Sequence, residues 1–87
     1  MTEDRELKDA LKRMIIEECD SDLSADEIGD DEPLIGQALG FDSLDALQIC
    51  MAVQTHYGVR IEGGRDTRKA LRSIRTLAET IRAAAHS

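Results

Sequence analysis

The sequence predicts an all-α bundle of four helices, with a long loop between the first two and a short third helix. Three observations carry that expectation. Apolar residues recur at helical spacing in separate stretches. Residues suited to capping a helix (Thr2, Asp42, Asp66 or Thr67, and Thr76) stand at the head of each stretch. Finally, 87 residues with one Phe, one Tyr and no Trp suffice for one domain, residues 1–87, whose small core must be aliphatic.

Thr2 can cap a first helix over residues 3–18, with Glu3, Asp4 and Glu6 placed to complement its dipole. Leu7, Leu11, Met14, Ile15 and Glu18 follow the i, i+4, i+7, i+8, i+11 spacing, and the first four form an apolar stripe. Residues 19–41 then make a connection that is long for so small a domain. Within it Ser24-Ala25-Asp26-Glu27 fits a capping box and one short helical turn. Pro33 fixes an extended bend, and Leu23, Ile28, Leu34, Ile35 and Leu39 are spread so as to pin the loop to the core.

The aspartates of this loop raise the question of calcium. Asp20, Asp22, Ser24, Asp26 and Asp31 could stand at positions 1, 3, 5, 7 and 12 of an EF-hand loop. The sixth position, however, is Ala25 where the turn requires glycine, the eighth is Glu27 instead of an aliphatic residue, and the twelfth lacks glutamate. No metal site is assigned.

The second helix is expected over residues 43–57, closed by Gly58 in the left-handed conformation. Ala46, Ile49, Cys50, Val53 and Tyr57 share one face of it, and Leu44, Leu47 and Met51 share another. One face suffices to join a small core. The other, bordered by Asp42, Asp45 and Gln48, either lies under neighbouring loops or serves a transient interface, and an apolar strip with a polar rim suits the second role.

Val59-Arg60-Ile61 reads as an extended link into the core, and Glu62-Gly63-Gly64 as a flexible turn. Asp66 or Thr67 would cap a third helix over residues 67–73, burying Ala70, Leu71 and Ile74 and leaving Arg65, Arg68, Lys69, Arg72 and Arg75 as a basic region. Thr76-Leu77-Ala78-Glu79 is a capping box that opens a last helix, with Leu77, Ala78 and Ile81 inward. The tail Ala83–Ser87 is expected to fray.

The net charge of −7 is unevenly distributed. Residues 1–48 hold 4 Lys+Arg against 15 Asp+Glu and residues 49–87 hold 7 against 3, so the two parts carry −11 and +4. The acidic part argues against nucleic acid and for partners with basic docking surfaces. Cys19 and Cys50 have neither CxxC spacing nor a neighbouring His, and read as thiols of a cytoplasmic protein rather than a disulfide. The apolar segments are short and interrupted by charge, so neither a transmembrane helix nor a signal peptide is expected, and the protein is taken as monomeric. No nucleophile–base pair or Gly-rich phosphate loop is visible, and neither His56 nor His86 has a ligand-spaced companion. Ser43 has no local His, which counts against a serine hydrolase, and the chain is read as not an enzyme.

The most informative stretch is the one where the long loop becomes the second helix. Asp42 is a good N-cap, and Ser43 then falls in the first turn, beside unpaired backbone N–H groups and the positive end of the helix dipole. That setting favours a phosphate ester over a neutral side chain. Gly40 lets the chain turn sharply before the cap, with Phe41 and Leu44 as anchors on either side.

Leu39-Gly40-Phe41-Asp42-Ser43-Leu44-Asp45 resembles the Leu-Gly-x-Asp-Ser-Leu-Asp signature of acyl carrier proteins, and the similarity is strongest from Leu34 to Ile61. The resemblance implies an acyl-carrier-like bundle in which Ser43 receives 4′-phosphopantetheine from coenzyme A through a phosphopantetheinyl transferase, with Asp42 recognised by that enzyme. It also implies that acyl intermediates are held as thioesters and presented to the synthases and transferases of fatty-acid, polyketide or lipid biosynthesis, with the acyl chain sheltered beneath the second helix. Position by position, Leu44, Leu47 and Met51 would make the apolar contacts with partners, and Asp42 and Asp45 the acidic ones.

Gln48, Gln54 and Thr55 occupy positions that are usually acidic in the carriers of ordinary fatty-acid synthesis, and residues 65–75 are more basic than in related carriers. Both departures point to a specialised member. The basic region is either a solvated face or a site for an acidic partner or an anionic acyl group. Two other classes stay open at this point: a peptidyl or aminoacyl carrier, and an unmodified helical adaptor that binds proteins through Leu44, Leu47 and Met51.

Overall fold

The stripe Leu7, Leu11, Met14 and Ile15 must be covered, and covering it arranges the other helices. The computed structural model describes residues 2–36, 40–61 and 64–85. Helix α1 spans Thr2–Glu18, α2 Ser43–Tyr57, α3 Gly64–Ala70 and α4 Ile74–Ala85, with one 3₁₀ turn at Ala25–Glu27. Among the described residues there is no strand, only an isolated parallel bridge between Ile35 and Phe41. Helix α1 packs against α2, against α4 and against the 3₁₀ turn, while α3 packs against α4.

Leu11 and Ile15 of α1 are fully buried, together with Leu34 of the loop, Ile49 and Val53 of α2, and Ile74 and Leu77 of α4. Burying a Leu or Ile side chain in this way contributes roughly 1.5–3 kcal/mol. Helix α1 ends in a Schellman motif: Ser21 N–H donates to Ile16 O at 2.9 Å and Asp20 N–H to Glu17 O at 3.3 Å. Asp20 takes the left-handed conformation there, at φ 50°.

The long connection is fixed at both polar and apolar points. Ile28, Leu34 and Phe41 are buried, and Leu23 and Ile35 pack against the same core. In the 3₁₀ turn, Glu27 Oε1 accepts from the Ser24 backbone N–H at 3.2 Å, as its capping pattern predicts. Lys12 Nζ meets Asp30 Oδ1 at 2.8 Å and Lys8 Nζ meets Oδ2 at 3.5 Å, which clasps the loop to α1. Arg75 grips Asp31 with both arms of its guanidinium, Nε to Oδ1 at 2.7 Å and Nη2 to Oδ2 at 3.0 Å, and its backbone N–H donates to Asp30 O at 2.9 Å. One of the basic residues expected in a free patch is therefore occupied with the loop.

Several boundaries differ from expectation. Helix α3 opens at Gly64 and closes at Ala70, instead of spanning 67–73. Asp66 lies inside its first turn, where a carboxylate complements the dipole, and does not precede it as a cap. The last helix begins at Ile74, two residues before the expected Thr76 cap. Ser73 supplies the missing signal: Thr76 N–H donates to Ser73 Oγ at 3.2 Å and Ser73 N–H donates back to Thr76 Oγ1 at 3.0 Å. Thr76 Oγ1 also donates to Ala70 O at 2.9 Å, so one hydroxyl ties the end of α3 to the start of α4. Ala83–Ala85 remain helical rather than fraying, in keeping with the high helix propensity of alanine. The cap expected of the Thr2 side chain, the anchor expected of Leu39, the turn at Glu62-Gly63 and the last two residues lie outside the described residues.

Lys12, and secondarily Lys8, hold the Asp30 carboxyl below its ordinary value. The folded state thus binds that proton less readily than the unfolded chain does. The clasp stabilises fully above about pH 4, the unfolded carboxylate value, and is lost as pH falls through the lower folded value. Asp30→Asn should lower stability near neutral pH by about 0.5 kcal/mol or less, since the pair is partly solvated. The difference from wild type should vanish in acid, as urea denaturation across pH will show.

Candidate functional site

Helix α2 is opened by two aspartates that cap each other. Asp45 N–H donates to Asp42 Oδ1 at 3.0 Å, and Asp42 N–H donates to Asp45 Oδ2 at 3.0 Å. Asp42 has the extended backbone of an N-cap, φ −112° and ψ −168°. The cap was legible in the sequence. The reciprocal bond from Asp45 was not recognised, although an acidic residue three places after the cap was its signal. The box engages the N–H groups of Asp42 and Asp45 and leaves over those of Ser43 and Leu44, in the first turn.

The loop side of this junction is equally constrained. Gly36 N–H donates to Phe41 O at 2.9 Å and Gly40 N–H to Gly36 O at 3.1 Å. Gly40 sits at φ 79°, a conformation that side chains disfavour, which is the reason for glycine at that position. Phe41 is buried and anchors the turn. Leu44, expected to anchor its other side, is 72% exposed. Val53 lies nine positions further on, which places the two on opposite sides of an α-helix of 3.6 residues per turn.

Ser43 is exposed and is the first residue of α2. The helix runs to Tyr57 and stops at Gly58, φ 68°, whose N–H donates to Gln54 O at 3.0 Å. Of the predicted inner face, Ile49 and Val53 are buried, while Ala46, Cys50 and Tyr57 pack against the core from its edge. Ala52 is buried with them, a contribution absent from the sequence reading. Leu47 is 59% and Met51 57% exposed. With Leu44 they form an uncovered apolar stripe beginning next to Ser43, with Asp42 and Gln48 exposed beside it and Asp45 half-buried.

A cavity of about 730 Å³ opens on the other flank of Ser43. Ser43, Ala46, Leu47 and Cys50 line it from α2, and Thr67 and Leu71 from the α3 side. Burial pushes the Cys50 thiol up, with a hydrogen bond from Thr67 acting in the opposite sense. Cys19, behind α2, is driven further, to about 11, by burial and by the charge of Asp45, and its Sγ donates to Asp45 O at 3.9 Å. Both cysteines are free thiols, and both are poor nucleophiles near neutral pH. His56 stands beside Glu18, 3.9 Å from its carboxylate. Among the described residues no three His, Cys, Asp or Glu side chains are grouped to hold a metal ion, and no helix is long and apolar enough to cross a membrane.

This architecture, all-helical with a long first connection and a short third helix, is that of an acyl-carrier-like bundle. The family model for the phosphopantetheine attachment site matches residues 9–81, and the chain belongs to that family. Its members carry covalently attached 4′-phosphopantetheine and act as carriers rather than catalysts, served by phosphopantetheinyl transferases and acyl-processing enzymes. Comparison with curated proteins and with solved structures gave no match.

The mutual cap is testable on its own. Asp42→Ala should destabilise the protein by about 1 kcal/mol in urea denaturation. Amide hydrogen exchange should accelerate at Asp45 more than at Val53, because only the first turn loses its acceptor.

Proposed function

We propose that the protein is an acyl carrier protein in which residues 1–87 act as one carrier domain and Ser43 Oγ bears the phosphopantetheine arm. One observation carries this reading: Ser43 is exposed at the first residue of α2, within the region that matches the family and within Asp42-Ser43-Leu44. The surroundings fit a phosphodiester at that oxygen. The hydroxyl is accessible, the neighbouring N–H groups and the helix dipole favour an anion, and the cavity beside it can receive what the arm holds.

The arm, once attached from coenzyme A by the transferase, supplies a thiol that carries an acyl group as a reactive thioester. The chain's own residues present it. Asp42 and Asp45 fix the opening of α2, so the tether always starts from the same place and raises the local concentration of cargo at a docked enzyme. Leu44, Leu47 and Met51 supply an apolar docking strip, with Asp42, Asp45 and Gln48 at its rim and Asp42 also read by the transferase.

Asp45 and the acidic first half favour acyl over aminoacyl or peptidyl cargo. Gln48 in place of an acid, together with the basic α3, favours a specialised carrier of a secondary or lipid-tailoring pathway over one of housekeeping fatty-acid synthesis. The free thiols of Cys19 and Cys50 accord with work in the cytoplasm. The exposed stripe also supports a second reading, an unmodified adaptor, which the following measurement separates.

Incubation with coenzyme A and a broad-range transferase should add the mass of one arm to the intact protein, and Ser43→Ala should abolish the gain. No gain in wild type, or a gain that survives the substitution, favours the adaptor. Leu47→Glu and Met51→Glu should leave thermal stability within about 0.5 kcal/mol of wild type. Both should raise the KM of the transferase and of cognate acyl-processing enzymes for this carrier.

A further inference from the structure

The cavity beside Ser43 is not uniformly apolar. Ala46 and Leu47 of α2 line it together with Ile61 and Leu71, but Arg68 and Arg72 also line it, and among the described residues no carboxylate does. Its volume of about 730 Å³ falls in the range of small-molecule sites, roughly 300–1,000 Å³. Among the described residues neither cation is paired with a carboxylate. Arg68 Nε donates to Gly64 O at 3.3 Å, which fixes the stem of the side chain, and among the described residues the end of the guanidinium meets no acidic group. Among the described residues no acidic group pairs with Arg72, whereas the nearby Arg75 is neutralised by Asp31. A pair of positive charges thus stands at an apolar cavity in a chain of net charge −7.

The geometry points to a cavity that selects acyl cargo ending in a carboxylate, the chain lying against Leu47, Ile61 and Leu71 and the carboxylate pairing with Arg68 and Arg72. This inference rests on Ser43 carrying the arm. Guanidinium groups match a carboxylate with two parallel hydrogen bonds, and such pairs strengthen where part of the surroundings is apolar. A neutral chain would occupy the same wall and gain nothing from the arginines. Elsewhere the protein's acidity opposes an anionic cargo, so these two residues would hold the discrimination.

The test uses the full chain with its arm in three forms: unloaded, hexanoyl-loaded and adipoyl-loaded. Thioester hydrolysis is followed by intact mass, each rate taken relative to the same acyl group on free pantetheine. The adipoyl form should be protected about threefold to tenfold more than the hexanoyl form, and Arg68→Gln with Arg72→Gln should erase the difference. The arginine Nε–H resonances should move only in the adipoyl form. Equal protection of the two cargoes overturns the inference. So do arginine shifts already present in the unloaded form, which would make the arm's own phosphate the anion. An arginine effect confined to turnover by partner enzymes overturns it as well, assigning the basic face to docking. Failure of the arm to attach at Ser43 sinks the carrier reading itself, whereas attachment without discrimination sinks only the cargo assignment.

Discussion

The opening of α2 depends on one buried ring, Phe41, held between a glycine turn and a helix cap. The bridge between Ile35 and Phe41 and the two hydrogen bonds through Gly36 close the loop on itself just before the helix. Phe41 is drawn into the core and Asp42 immediately starts the mutual cap with Asp45, so the next residue has nowhere to go but outward. The exposure of Ser43 is therefore a consequence of burying its neighbour two places earlier. This division of labour, an apolar anchor behind and a polar lock ahead, also leaves the faces on both flanks of Ser43 free for other uses.

Those two flanks differ in chemistry although they share Leu47. On one side the stripe Leu44, Leu47 and Met51 is open, with few charges at its rim. On the other the cavity is lined by two cations, Arg68 of α3 and Arg72 just beyond its end. The acidic first half is partly neutralised internally: Asp30 and Asp31 engage Lys8, Lys12 and Arg75 and hold the long loop in place. What remains exposed near Ser43 is a local pattern of charge that the overall value of −7 conceals.

Most of this was readable from spacing. The helical repeat of Leu7, Leu11, Met14 and Ile15, the cap at Asp42, the stop at Gly58 and the grouping of Leu44, Leu47 and Met51 on a second face of α2 all follow from local rules, and each is found in the structure; whether loops cover that second face is not a local matter, and its exposure answers it. The limits of α3 and α4 were not, because Ser73 and Thr76 compete as caps and only the hydrogen bond from Thr76 to Ala70 decides between them. Leu44 could by local rules either anchor the turn or share the outer face of α2, and its place opposite Val53 on the helix decides for the outer face. The cavity was the hardest to foresee. Arg68, Leu71 and Arg72 lie at spacings of three and four, but what they face is set by where the long loop and α2 come to rest, which no local pattern records.

Tyr57 adds a practical property to the same helix. It is the chain's sole tyrosine, no tryptophan is present to mask it, and it sits partly buried where α2 meets the core. It stands fourteen positions along α2 from Ser43, about 21 Å along the axis. Its emission is thus a built-in optical reporter at the far end of α2, able to register changes in how that helix packs on the core without any dye being attached to the protein.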